Sequence, residues 1–207
     1  MIVLADNDVI LKLVQCDLIV EFLSSFDVTL DDIRIRPVTR LFLSKNKIRK
    51  RLDPACIARL EGLLSAVCDI NLDPDPDELS TLVEIAKIDE GEAVLFIVCP
   101  QYPDARIVTG DKRSLVGLHD AEKVWPVCKL LAAKLAGKIY CFEQVLLKIL
   151  DAVGFEAIRD RIVLGRECDK GLALWLGSGL EATETEFRNG LASFLNEVKQ
   201  VTGGLLA

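Results

Sequence analysis

Histidine is almost missing from this chain: His119 is the single one among 207 residues. That excludes metal sites built from several histidines and makes a Ser-His-Asp or Cys-His mechanism a poor fit, so any chemistry has to rest on carboxylates. No two cysteines have the C-x-x-C spacing. The seven that occur (Cys16, Cys56, Cys68, Cys99, Cys128, Cys141, Cys168) are odd in number and sit in apolar segments, which reads as reduced thiols in a cytoplasmic protein. Long apolar runs are also lacking. Ala93–Cys99 is far short of the ~20 residues of a membrane span, so no membrane partner is expected. The opening MIVLAD has no basic start and reaches an acid at Asp6, unlike a signal peptide. With 13 glycines and 7 prolines, the composition is neither fibrous nor disordered.

What is present is a hydrophobic share of 51%, enough for a sizeable core. The net charge of −7 argues against broad nonspecific binding to nucleic acid, but the distribution is uneven. Arg34–Leu52 holds eight bases and no acid, whereas Asp69–Glu92 holds nine acids and one base, Lys87. One stretch could attract phosphate, the other a divalent cation.

Hydrophobic periodicity predicts buried strands at Ile2–Ala5, Cys68–Leu72, Arg106–Thr109 and Lys138–Phe142. It predicts helices over Val9–Val14, Leu18–Leu23, Ile57–Val67, Glu78–Ile88, Gly91–Cys99, Lys112–Leu118 and Lys123–Leu135, the last with Pro126 in its first turn. Val38, Leu41, Phe42, Ile48 and Leu52 share a helical face, with a break expected near Ser44–Asn46. Strands separated by helices imply an α/β fold with a parallel sheet. The remainder reads as helices punctuated by glycines, so residues 1–150 are expected to form the α/β unit and 151–207 an all-helical C-terminal extension, with the boundary near Asp151–Gly154.

Certain acids follow the strands: Asp6 and Asp8 the first, Asp111 the third, Glu143 the fourth. Parallel strands end on one edge, where ligands bind, and Glu92 at the start of the Gly91 helix could point there too. Carboxylates gathered together repel unless a cation intervenes, and oxygen ligands without histidine or thiolate favour Mg²⁺ or Mn²⁺. Ordinary structural roles compete. Asp8 and Asp111 fit helix N-caps, Asp89 and Glu92 have the spacing of a capping box, Glu143 suits a helix start, and His119 a helix end.

VLADNDVILKL resembles the opening strand and helix of PIN-domain ribonucleases, including the toxins of toxin–antitoxin pairs, with Asp6 at the leading acid and Asp8 at the small polar position beyond it. IDEGEAVLFIV resembles their later acid-bearing helix, matched by Glu92. IVTGDKRSL resembles their T-x-D strand end, matched by Thr109 and Asp111. The three blocks occur in order and lie within the first ~145 residues, a typical single-domain size. The resemblance implies a three-layer α/β/α Rossmann-like fold and hydrolysis of RNA phosphodiesters. It implies Asp6, Glu92 and Asp111 as catalytic residues, an Mg²⁺ or Mn²⁺ site on these three with Asp8, and Thr109 and Lys112 at the substrate. A cognate antitoxin or inhibitor protein and a homodimer are compatible partners. Many relatives carry a further acid after the second helix; RPVTRLFLS has none.

Two other readings are open. DNDVI resembles the opening of haloacid-dehalogenase-like phosphatases, with Asp6 as nucleophile and Asp8 as acid/base, although Leu115 and Val116 stand where that family has a later acid. Alternatively the chain is a catalytically inactive PIN-like module that binds RNA or protein, a reading opposed by the retained acids. The stretch Arg34–Arg51 is expected to grip RNA through Arg40, Lys47, Lys50 and Arg51, one face of a continuous helix whose opposite face buries Val38, Leu41, Phe42 and Leu52.

Overall fold

The structure, a computed structural model, describes residues 1–84 and 88–207. Its first half runs β1 (Ile2–Ala5), α1 (Asn7–Gln15), α2 (Ile19–Phe26), β2 (Ile33–Ile35), α3 (Pro37–Leu43), α4 (Asn46–Arg49), α5 (Pro54–Ala66), β3 (Cys68–Asp69) and α6 (Pro76–Val83). The second half runs α7 (Glu90–Val98), β4 (Ala105–Thr109), α8 (Lys112–Glu122), α9 (Pro126–Leu135), β5 (Ile139–Cys141), α10 (Phe142–Val153), α11 (Arg159–Gly165), α12 (Lys170–Trp175) and α13 (Glu184–Thr202). The expected α/β class with a parallel sheet is observed. The helix expected to reach Ile88 stops at Val83 among the described residues; 85–87 lie outside them, and Ile88 is not helical.

All five strands are parallel, in the order β3-β2-β1-β4-β5. The chain winds outward from β1 through β2 and β3, then returns to β4 on the other side. The order therefore reverses between β1 and β4, and at such a point the loops leaving the strand ends diverge and open a crevice. Strand alternation feeds two cores. Val3, Ala5, Ile33, Ile35 and Val108 face one, with α1, α2, α5 and α10. Leu4, Ala105, Ile107 and Ile139 face the other, with α7, α8 and α9. A sheet buried on both faces accounts for strands that read as continuous apolar runs.

β2 was not among the expected strands. It lies in DDIRIRP, where Ile33 and Ile35 are buried while Arg34 and Arg36 are only half-buried. Three residues of alternation inside a basic stretch are too short to stand out. Residues 151–207 carry α11, α12 and α13 and enter both cores. Phe155, Ile162, Leu172 and Phe187 pack with Leu146 and Ile149 of α10, while Leu195, Val198, Leu205 and Leu206 pack on the other face. The chain end bridges to β5, with the Ala207 amide donating to Ile139 O at 2.9 Å. Within α13, a Cβ on Gly190 would run into the ring of Trp175, so a glycine there lets the indole lie flat against the helix.

Candidate metal centre

The acids expected at strand ends arrive there as helix caps. Asp6 leaves β1 and caps α1, its Oδ2 accepting from the Asp8 amide at 3.2 Å. Asp111 leaves β4 and caps α8, with Oδ1 accepting from the Arg113 amide at 2.9 Å and Oδ2 from Ser114 Oγ at 3.1 Å. Asp89 caps α7, its Oδ1 accepting from the amides of Gly91 at 2.7 Å and Glu92 at 3.2 Å. Capping and clustering are thus not alternatives here. Asp6 and Asp89 serve their helices with one oxygen each and Asp111 with both, while all three groups line the crevice. Glu92, in the first turn of α7, is 4% exposed.

Ligand oxygens of Asp89, Glu92 and Asp111 lie within 4.8 Å of one another. An octahedral Mg²⁺ with ligands at about 2.1 Å sets adjacent oxygens about 2.9 Å apart and opposite ones about 4.2 Å apart, so the trio has to draw in around an ion to hold it directly. The donor set fits the hard cations expected from the sequence. Asp6 lies outside this trio but lines the same cleft and is 7% exposed.

The electrostatics agree. Burial, a hydrogen bond with Asp89 and the charges of Asp6, Asp89 and Asp111 push the Glu92 carboxyl up to about 9. Asp89, the acceptor in that pair, is held below its ordinary value by the bond to Glu92 and by the α7 amides. Burial raises Asp6 as well. Arg36 offsets part of this charge, favouring the ionised forms of Asp6 and Asp89, and Arg113 reaches Asp111 at 3.3 Å.

Asp8 was expected as a ligand and stands elsewhere. Its Oδ2 is 2.6 Å from Lys12 Nζ, one helical turn on, and the pair lies over Gly110, where any side chain would collide with the carboxylate. Lys12 also meets Asp169 of the extension at 2.8 Å and stands over the Phe142 ring, 5.0 Å from its centroid. Burial opposes its charge, but Asp8 and Asp169 more than offset that, and its pKa is raised. Lys112 pairs with Glu143 at 2.8 Å, and Glu143 is 1% exposed with Oε2 unpartnered by any hydrogen bond.

Thr109, expected at the substrate, is turned inward at 1% exposure; its Oγ1 accepts from the Asp111 amide at 3.1 Å. Its place is to fix the strand end that presents Asp111. The expected basic face is divided. The helix breaks at Ser44–Lys45 into α3 and α4, Arg40 turns to Asp69 at 2.9 Å, and Arg49 pairs with Glu61. Lys47, Lys50 and Arg51 remain exposed. The opposite face is not the buried stripe that was expected: Val38 is 54% and Leu41 71% exposed, while Thr39 and Leu43 are buried. Phe42 and Ile48 from this segment line the cleft, whose volume is about 850 Å³.

Sequence reasoning missed Lys12 and Asp169 at the cleft and read Asp89 only as part of a capping box. Lys12 could have been found as the i+4 partner of Asp8. Asp169 carries only the signal of a cap, the role in which its Oδ1 accepts from the Gly171 and Leu172 amides. The seven cysteines are free, five of them buried, with Cys68 and Cys168 half-buried. His119 lies in the last turn of α8 and contacts Glu122 at 2.6 Å. No protein-family model, curated protein or solved structure matches the chain.

Proposed function

We propose that this protein is a metal-dependent ribonuclease of the PIN type, hydrolysing RNA phosphodiester bonds at a carboxylate-held Mg²⁺ or Mn²⁺. The observation that carries the reading is the meeting of Asp89, Glu92 and Asp111 within 4.8 Å at the reversal of strand order, with Asp6 in the same cleft. Asp89, Glu92 and Asp111 would hold the ion, which when bound supplies an activated water and charge neutralisation at phosphorus, and Asp6 would face it from the same cleft. Thr109 positions Asp111. Arg113, 85% exposed at its side chain, and Lys112 would meet phosphate oxygens at the rim. Lys47, Lys50 and Arg51 would draw RNA towards a protein whose net charge otherwise repels it. No helix of the described residues is long and apolar enough to cross a membrane. The exposed Val38 and Leu41, on the helix whose Phe42 lines the cleft, suit an inhibitor protein that covers it.

The test is cleavage of a fluorescent single-stranded RNA by the full chain with Mn²⁺. Asp111→Asn should lower the rate by more than the ~100-fold usual for residues that merely support metal ligands, without lowering the melting temperature of the metal-free protein. Hydrolysis of a chromogenic phosphate monoester with RNA left intact would instead assign phosphatase chemistry to Asp6 and Asp8. RNA binding that is indifferent to Mn²⁺ and leads to no cleavage would make the chain a binding module.

A further inference from the structure

Seven carboxylates line the cleft: Asp6, Asp8, Asp89, Glu92, Asp111, Glu143 and Asp169. They are not equivalent. Asp8 and Asp169 close on the ammonium of Lys12 at 2.6 and 2.8 Å, and Glu143 closes on Lys112 at 2.8 Å. The other four include the trio that can share an ion. Lys12 is not a loose surface lysine. Its side chain is 8% exposed and its Nζ is held by two carboxylates and the face of Phe142. Its Nζ also lies 3.3 Å from the point a Cβ on Gly110 would occupy, and Gly110 precedes Asp111 in the chain.

We propose that Lys12 is a built-in second cation: its ammonium holds the place between Asp8 and Asp169 where a second divalent ion would find its carboxylates, so that the site takes one ion. The inference rests on the metal-dependent reading above. Two-metal phosphoryl-transfer sites set their ions ~3.5–4 Å apart, one on each side of the phosphorus, and a second ion beside the trio would draw on the carboxylates nearest it. Here Asp8 and Asp169 are already bridged by a charge that is part of the chain. A divalent ion could displace it only by leaving a buried ammonium without partners, which is strongly unfavourable. Asp169 comes from the extension, so the tail helps to fix the metal count of a cleft whose other ligands lie on the sheet edge. The difference between the two cations is chemical. An ammonium can donate hydrogen bonds to a phosphate oxygen but, unlike a metal, does not ionise a bound water. Water activation would fall to the single ion at Asp89, Glu92 and Asp111.

The full chain is titrated with Mn²⁺ while free Mn²⁺ is followed by its electron paramagnetic resonance signal. The expected stoichiometry is one ion per chain for the wild type and for Lys12→Arg, and two for Lys12→Gln, the second bound more weakly. Two ions on the wild type, or one on Lys12→Gln, overturns the inference. No ion on the wild type overturns the metal-dependent reading itself and this inference with it, so the two failures are distinguishable. Should Lys12→Gln fail to fold, a crystal of the wild type soaked in Mn²⁺ decides the matter. One anomalous peak at Asp89, Glu92 and Asp111 is expected, with Lys12 still between Asp8 and Asp169; a second peak on those two carboxylates overturns it.

Discussion

Without a cation, Glu92 keeps its proton because burial and its acidic neighbours oppose another charge. An unfolded Glu ionises near pH 4.3, whereas folded Glu92 does so only at about 9. Between those values the folded state binds a proton that the unfolded state has released. This contribution to stability is fully present below about pH 4.3 and is lost as pH rises towards 9, with a slope of up to ~1.4 kcal/mol per pH unit for one proton. Asp6, also raised by burial, acts in the same direction, while Asp89, lowered, acts oppositely and only near and below its ordinary value. The metal-free protein should therefore melt at lower temperature as pH rises from 5 to 9, and Glu92→Gln should flatten that slope. Thermal denaturation at several pH values in chelator checks it. Mn²⁺ binding should strengthen over the same range, because the ion competes with the proton.

Asp89 raises a question that belongs to its helix. As the N-cap of α7 it accepts two amide hydrogen bonds, and as one of the trio it offers a ligand oxygen. Serine can take over the first role but not the second. Asp89→Ala should cost about 1 kcal/mol of stability from the lost cap. Asp89→Ser should stay within a few tenths of that energy of the wild type and still lose at least tenfold in Mn²⁺ affinity. Denaturant melts and Mn²⁺ titration on the two variants separate the roles; unchanged affinity in both would leave Asp89 as a cap alone. Elements of this kind were legible where the chain is periodic. The long helices, four of the strands and the break near Ser44 follow from apolar spacing and caps. β2 was hidden because three residues of I-R-I show too little alternation. The buried stripe expected on α3 failed because Leu43 and Thr39, rather than Val38 and Leu41, turn inward once the helix is broken. Asp6 and Asp111 were legible because a strand end fixes where its next side chain goes. Lys12 with Asp169 was not, since that pair exists only after the tail has folded back.

At the scale of the whole molecule, the packing of residues 151–207 decides how the protein unfolds. α13 contributes Phe187 and Leu191 to one core and Leu195 and Val198 to the other, so the extension grips both faces of the sheet instead of hanging from its end. Phe187, fully buried, packs between the tilted ring of Phe155 at 5.6 Å and the edge-on ring of Trp175 at 6.2 Å. Elements that share a core lose stability together, and a contiguous core makes unfolding all-or-none. Trp175 belongs to the extension, whereas Trp125 is 49% exposed at the start of α9. In a Trp125→Phe background, indole fluorescence therefore reports the extension alone, while far-ultraviolet circular dichroism reports all the helices. The two signals should trace one coincident transition. Phe187→Ala should cost about 3–5 kcal/mol and lower both midpoints together by roughly 10 °C for a chain of this length. Mn²⁺ should raise both midpoints in either background, because an ion that binds only the folded state stabilises every part that unfolds with it. A fluorescence transition preceding the dichroism, or a Phe187→Ala shift confined to fluorescence, would make the extension a separate unit whose contact with Lys12 can open while the sheet stays folded.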